Sequence, residues 1–362
     1  MNRHYIIPIF VPHFGCPHAC VFCNQKRITG LSTNVTPSDV EKTIEEHLAT
    51  FKPHSFIEVA FYGGSFTAID LEIQKKLLEV PFNYKKSGKI DNIRLSTRPD
   101  AIDKTILDNL KEYSVDTIEL GVQSLDNRVL SVSGRGHSAE DVYKAANLIK
   151  EYGFKLGLQM MIGLPEDDLD KDLYTCKEFI KLRPSCVRVY PTLVIKDTFL
   201  EKLYLMGKYK PLSLDEAVEI SSLLLMLFNL ENIEVIRMGL QPTDNIQLGK
   251  DVVAGPFHPS FRQLVESNVF KLLFEYFLKH HNIFTEGKIL IIEANNKKIS
   301  AISGQKSCNI EYFYKKHGFK KIKIYSRDLD FNVVNIIIDE DSYRLDIKSL
   351  IRAYLVENLI ID

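Results

Sequence analysis

The chain has 362 residues, 45% of them hydrophobic and 26% charged, with a formal net charge of −1. These proportions fit a folded protein with a sizeable core and exclude a disordered chain. The near-neutral balance excludes whole-molecule attraction to nucleic acid or anionic membrane, so either would need a local patch.

At the N-terminus, the apolar run before Cys16 is short, broken by Pro8 and Pro12, and has no small-residue cleavage site. No signal peptide is expected. No stretch of about 18 apolar residues exists to span a bilayer, so a cytoplasmic location is expected. Of the six cysteines, Cys16, Cys20 and Cys23 fall close together. In a long chain expected to stay reduced, such clustering points to metal rather than to disulfides.

In chain order, apolar β-branched runs predict strands at Tyr5–Val11, Ile57–Tyr62, Ile93–Ser96, Thr117–Val122, Lys155–Met161 and Cys186–Tyr190. Helical periodicity lies between them: Val40, Ile44 and Leu48 share one face, as do Val142, Ala145, Ala146 and Ile149. Thr36 with Pro37 and Asp39 reads as a helix start, Ser138 with Glu140 and Asp141 as another, and Ser213 with Glu216 as a third. Strand followed by helix, six times, predicts an α/β parallel sheet, open or barrel-like. Its ligand site belongs at the carboxyl ends of the strands. Residues 241–262 read as a Pro/Gly-rich loop, followed by a helix at about 262–280. Short strands at Ile289–Ile292 and Val333–Ile338 and a helix near 346–357 predict a small α+β region. The expected division is 1–240 for the core, 241–284 for a connecting segment and 285–362 for the C-terminal subdomain.

The chemistry starts with Gly15-Cys16-Pro17-His18-Ala19-Cys20-Val21-Phe22-Cys23, just after the first strand. Three thiolates on one loop can wrap one face of an iron–sulfur cubane and leave one iron without a cysteine. An iron left open in this way can bind a small ligand. The rival reading is structural zinc with His13 or His18, but the second ligand pair typical of such sites is missing.

Each later strand ends in a second feature. Gly63 and Gly64 follow the second strand and let backbone approach a ligand. Ser96-Thr97-Arg98-Pro99-Asp100 ends the third; Pro99 would stop it, and Asp100 could cap the next helix. Gly121-Val122-Gln123-Ser124 ends the fourth, followed by Gly134-Arg135-Gly136-His137. A guanidinium fork at Arg135 can pair with a carboxylate, or it is simply a solvated loop residue. Gln159 lies in the fifth strand before Gly163-Leu164-Pro165, beside Met160 and Met161, which read as core.

Cys-x3-Cys-x2-Cys with Phe22 before the last cysteine resembles the signature of the radical S-adenosylmethionine (SAM) superfamily. The Gly-Val-Gln-Ser, Arg-Gly-His and Gly-Leu-Pro strings, with Tyr190-Pro191-Thr192-Leu193-Val194-Ile195, resemble its Elongator catalytic subunit-like and coproporphyrinogen-oxidase-like branches. The resemblance implies a partial (β/α)6 TIM-like barrel. It implies a [4Fe–4S] cluster on Cys16, Cys20 and Cys23, whose open iron chelates SAM and whose electron cleaves it to a hydrogen-abstracting radical. It also implies SAM-site positions at Phe22, Gly63, Gly64, Ser96, Gln123, Arg135 and Gln159, and an electron donor of the flavodoxin or ferredoxin type. Ser65 stands where many members of that superfamily carry glutamate, and Ser96 where some related subfamilies do.

Transfer RNA is the leading substrate class implied by the Elongator-like strings. The stretch Lys306–Arg327 adds seven basic residues against Glu311, with Phe313, Tyr314, Phe319 and Tyr325 interleaved. Such a stretch either binds RNA or forms a solvated surface. The alternatives are a radical SAM enzyme acting on a small molecule such as a tetrapyrrole, and a non-enzymatic iron–sulfur or zinc protein. Tyr312–Phe319 resembles the end of an acetyltransferase, but no pyrophosphate-cradling glycine loop precedes it, so acetyl transfer is not expected. His258 and Arg262 are substrate-side candidates only by their place in the Pro/Gly-rich segment. Cys176, Cys186 and Cys308 read as ordinary free cysteines.

Overall fold

The computed structural model describes residues 4–11, 20–24, 35–242 and 245–361. They form two compact units, 1–214 with 233–257, and 215–232 with 258–362.

The first unit is built on a seven-stranded parallel sheet. Its strands are β1 (His4–Val11), β2 (Phe56–Gly63), β3 (Asn92–Thr97), β4 (Thr117–Gln123), β5 (Lys155–Ile162), β6 (Cys186–Pro191) and β8 (Glu234–Met238). They lie side by side in that order, and among the described residues β1 and β8 do not pair, so the barrel is open. Helices return the chain between strands: α1 (Pro37–Leu48), α2 (Leu71–Lys86), α3 (Lys104–Glu112), α4 (Asn127–Val132), α5 (Ala139–Glu151) and α6 (Leu169–Leu182). The strands are near-continuous apolar runs because helices and cavity cover both faces. Ile7, Val59, Ile93, Ile118, Leu158 and Val187 are fully buried.

Local chemistry sets the helix ends. Thr36 and Asp39 cap each other reciprocally before α1, as Ser138 and Asp141 do before α5. Pro99 does end β3 at Thr97, but Asp103, not Asp100, caps α3 by accepting from Ile106 N at 2.8 Å. Asp100 is occupied by Arg98 instead.

The structure adds β8, a strand that the sequence pattern did not reveal. It is a short edge strand whose Glu234 and Arg237 interrupt the apolar signal. The loop read at 241–262 contains β9 (Val252–Ala254), antiparallel to β7 (Val194–Ile195). Between β7 and β8 lie α7 (Phe199–Leu205) and the apolar α8 (Leu214–Leu230), and α8 belongs almost wholly to the second unit.

The second unit continues with α9 (Phe261–His280), β10 (Ile289–Ala294), α10 (Ile299–Ser303), α11 (Cys308–His317), β11 (Lys321–Ser326), β12 (Val333–Ile338), β13 (Asp341–Asp346) and α12 (Ile347–Glu357). Its sheet has the order β11-β10-β12-β13, with β10 and β11 parallel and the other pairs antiparallel. Phe270, Phe274 and Phe277 of α9 pack with Phe313, Phe319, Leu290 and Ile336 into one core. The two strands missed by the sequence pattern, β11 and β13, are the polar edges of this sheet.

Candidate functional site

A cavity of about 740 Å³ opens at the carboxyl ends of the large sheet. Cys20, Cys23, Gly63, Gly64, Ser96, Gln123, Arg135 and Gln159 all line it. Cys16, with His13 and His18, lies outside the described residues.

The turn Cys20–Cys23 is fixed by backbone. Cys23 N donates to Cys20 O at 3.0 Å, Val21 N to Ser133 O at 3.1 Å, and Leu200 N to Val21 O at 2.7 Å. Val21 is buried against Val194, Leu200 and Tyr209, and Phe22 packs on the same cluster rather than lining the cavity. The Cys20–Cys23 turn is thereby tied to Ser133 and Leu200.

Gly63 has φ +103°, which only glycine takes without strain. Gly64 N donates to Val11 O at 3.1 Å, tying the second strand end to the first. Below them Thr67 Oγ1 donates to Ala101 O at 2.6 Å and lies 2.6 Å from Thr97 Oγ1.

At the end of β4 the register slips between Gly121 and Gln123, a bulge that holds Gln123 at φ +77°. The bulge folds Gln123 back over Gly121, where a Cβ would stand 3.3 Å from Gln123 Nε2 and 3.7 Å from Arg135 Nη2. Arg135 sits between Gly134 and Gly136, both at positive φ, and is 6% exposed. A solvated loop role for it is therefore excluded. Its Nη1 donates to Cys20 Sγ at 3.2 Å, and its Nη2 donates to the Gly121 carbonyl.

Three buried charges, Glu58, Arg94 and Glu119, form a network that meets the cavity at Arg188, and the motif reading assigned none of the four a role. Arg94 bridges Glu58 and Glu119 at 3.0 and 2.9 Å. Arg188 reaches Glu119 at 2.5 and 3.1 Å and Tyr62 Oη at 2.6 Å. Gln159 Nε2 donates to Glu119 Oε2 at 3.0 Å and to Ser96 Oγ at 3.1 Å, so both side chains are tied to this network. Burial pushes the Glu119 carboxyl up, but Arg188 and then Arg94 outweigh it and hold it ionised, below its usual range. Tyr62 is pushed up by burial and by Glu119, so it stays a neutral phenol. The signal available in the sequence was a charged residue inside an apolar strand; such a residue must be paired when buried. Arg98 was also missed as a site residue, although its motif was noted.

Other candidates settle elsewhere. His258 Nδ1 accepts from Ser260 N at 3.1 Å, Arg262 pairs with Glu266 at 2.8 Å, and neither lines the cavity. Cys176 and Cys186 are buried, whereas Cys308 is exposed. In the basic stretch, Phe313 and Phe319 are core residues and cannot stack on bases; Tyr314 and Tyr325 are exposed. Lys316 pairs with Glu275 and Arg327 with Glu293. Helical spacing on α11 and the turn after it bury two of the four aromatics, which the composition alone could not show.

The donor set fits an iron–sulfur cluster with SAM beside it. Two cysteine sulfurs and a glycine pair share the cavity with Gln123 Oε1 and Arg135 Nε, both buried without a hydrogen-bond partner among the described residues. Orphaned polar atoms in a cavity call for a polar ligand.

Comparison with known proteins gives the same direction. The sequence profile of the radical SAM superfamily matches residues 10–175, and that of the radical SAM C-terminal domain matches residues 184–271. A tRNA uridine(34) acetyltransferase of Methanocaldococcus jannaschii is 30% identical over 257 residues, covering 60% of this chain and 48% of the relative. Elongator complex protein 3 of Homo sapiens is 34% identical over 196 residues, covering 48% of this chain and 36% of the relative. The chain thus spans about half the length, or less, of these curated relatives. A solved structure of the archaeal Methanocaldococcus infernus Elp3 with an N-terminal deletion shares the fold, with TM-score 0.56 and 21% identity, covering 96% of this chain and 76% of that one. No helix among the described residues is long and apolar enough to cross a membrane.

Proposed function

From the premise that the chain belongs to the radical SAM superfamily, we propose that it is an enzyme holding a [4Fe–4S] cluster on Cys16, Cys20 and Cys23 and acting on transfer RNA. The carrying observation is that Cys20, Cys23, Gly63, Gly64 and Gln123, from the ends of β1, β2 and β4, and Arg135, from the loop after α4, line one cavity. When bound, the cluster supplies the electron that cleaves SAM reductively and so yields a hydrogen-abstracting radical; the difficult chemistry is the cofactor's.

The chain's own residues position and exclude. Cys20 and Cys23 bind iron from a turn clamped by Ser133 and Leu200. Gly63 and Gly64 offer backbone without side-chain obstruction, suited to the amino group of SAM. Gln123 Oε1 and Arg135 Nε supply an unpaired acceptor and an unpaired donor. Gln159, held by Glu119 and Ser96, presents a fixed amide to the cavity. Tyr62, Arg188 and Tyr190 also line the cavity, where a substrate would meet them.

Support for transfer RNA comes from the named activity of the archaeal relatives and from the basic stretch on α11 and β11. The electron donor is proposed to be a flavodoxin or ferredoxin. Two measurements test the reading. After anaerobic reconstitution with iron and sulfide, reductant-dependent release of 5′-deoxyadenosine is expected from the wild type and not from Cys20→Ala. Transfer RNA nucleosides from wild-type and deletion strains, compared by mass spectrometry, are expected to differ in one modified species. Absence of 5′-deoxyadenosine from a fully loaded protein overturns the enzyme assignment, and identical nucleoside profiles overturn the substrate.

A further inference from the structure

Two guanidiniums converge on one sulfur. Arg135 Nη1 donates to Cys20 Sγ at 3.2 Å, and Arg98 Nη1 stands 4.0 Å from the same atom. Neither is a surface cation, for Arg98 is 3% and Arg135 6% exposed. Both are clamped on their far sides. Arg98 Nε and Nη2 donate to the two oxygens of Asp100 at 2.9 and 3.3 Å, and Nη2 also donates to the Arg135 carbonyl. Arg135 Nη2 is held by the Gly121 carbonyl at the β4 bulge. Swinging either fork away from Cys20 would break buried, charge-assisted hydrogen bonds.

Both guanidiniums bring positive charge to Cys20. Asp100 pairs with Arg98 at 2.9 Å. Behind them His137 is buried and adds a neutral imidazole beside the pair. An iron–sulfur cluster gains one negative charge when it takes an electron. Hydrogen bonds to its sulfurs, together with nearby positive charge, stabilise that reduced state and raise the reduction potential.

We propose that Arg98 and Arg135 form a paired cationic cap on the Cys20 thiolate that raises the reduction potential of the cluster held there, with Asp100 as the residue that positions Arg98. This rests on the cluster assignment above. It gives Arg135 a task that does not require SAM, and gives the Thr-Arg-Pro-Asp segment a task beyond ending β3. The added electron comes from an external low-potential carrier of the flavodoxin or ferredoxin class. No bond forms or breaks in this step.

The test is the midpoint potential of the reconstituted full chain, titrated with reductant, followed by electron paramagnetic resonance and run without SAM. R98Q and R135Q are each expected to take up iron and sulfide as the wild type does and to shift the midpoint to more negative values, R135Q more than R98Q. R98K and R135K keep the charge but lose the fork, and are expected to shift less in the same direction. Wild-type midpoints in both glutamine variants overturn the proposal. If a glutamine variant fails to load, a wild-type midpoint in the matching lysine variant overturns it for that residue. A wild-type chain that takes up no four-iron cluster refutes the proposed function instead, so the two failures are distinct.

Discussion

At the scale of single residues, His137 shows what the two arginines beside Cys20 do to their surroundings. Burial first, then Arg135 and Arg98, depress its imidazole from 6.5 to about 4. The folded chain therefore binds this proton less readily than the unfolded chain. Stability from the neutral imidazole is fully present above pH 6.5 and is lost as pH falls from 6.5 toward 4. A shift of that size corresponds to on the order of 3 kcal/mol. Urea midpoints of the cluster-free protein, measured across that window, are expected to fall with pH in the wild type and to fall less steeply in His137→Gln. Equal slopes would show that the imidazole is as easily protonated folded as unfolded. The sequence displayed His137 only as the end of an Arg-Gly-His string. The convergence of Arg98 and Arg135 on one sulfur is tertiary, since their loops follow β3 and α4, and no spacing rule predicts it.

At the scale of elements, the charge network around Glu119 depends on a small residue in the middle of a strand. Gly157 of β5 faces Glu119 of β4 in register. A Cβ there would meet Glu119 Cγ at 2.7 Å and Cys186 Sγ at 3.2 Å, both in buried side chains. Gly157→Ala is expected to destabilise by about 1–3 kcal/mol through overpacking. Thermal unfolding measures that loss directly, and an unchanged melting temperature would mean the strands yield without cost. Every strand predicted for the large sheet appears within a residue or two of its expected bounds, because buried parallel strands read as plain apolar runs. Of the strands that escaped that pattern, three did so for one reason. β8, β11 and β13 are edge strands, carrying polar and charged residues that suit solvent on one side and blur the apolar signal. The Glu58–Arg94–Glu119–Arg188 network escaped because motif reading follows strand ends, whereas these residues lie inside the strands.

At the scale of the whole molecule, the net charge of −1 gives no general affinity for RNA, so any such affinity must be local. Lys320 and Lys321 are exposed at the start of β11, with Lys323 two residues on. Salt-sensitive binding of the full chain to transfer RNA is expected to weaken in K320E/K321E/K323E. Its salt dependence is expected to flatten, by roughly 0.7–0.9 in the logarithmic slope for each phosphate that is no longer neutralised. Unchanged affinity in a filter-binding assay would remove this patch from RNA recognition. The sequence marked these lysines but credited them with four stacking partners, of which the fold leaves Tyr314 and Tyr325 exposed. Sequence and structure also divide the chain differently. The expected boundaries at 240 and 285 mark changes in composition, whereas the two compact units interleave along the chain, with 215–232 in one and 233–257 in the other.

That interleaving has a consequence for the order in which the protein is made. β6 ends at Pro191, yet its edge partner β8 begins at Glu234, and nearly all of α8 between them belongs to the other unit. A ribosome adding roughly 5–20 residues each second takes a few seconds to deliver that stretch. Throughout that interval the nascent sheet carries an unpaired backbone edge at β6, while the apolar side chains of α8 still lack their own core. The newborn chain is most exposed to mispairing in those seconds, and a holding chaperone would have most to do there.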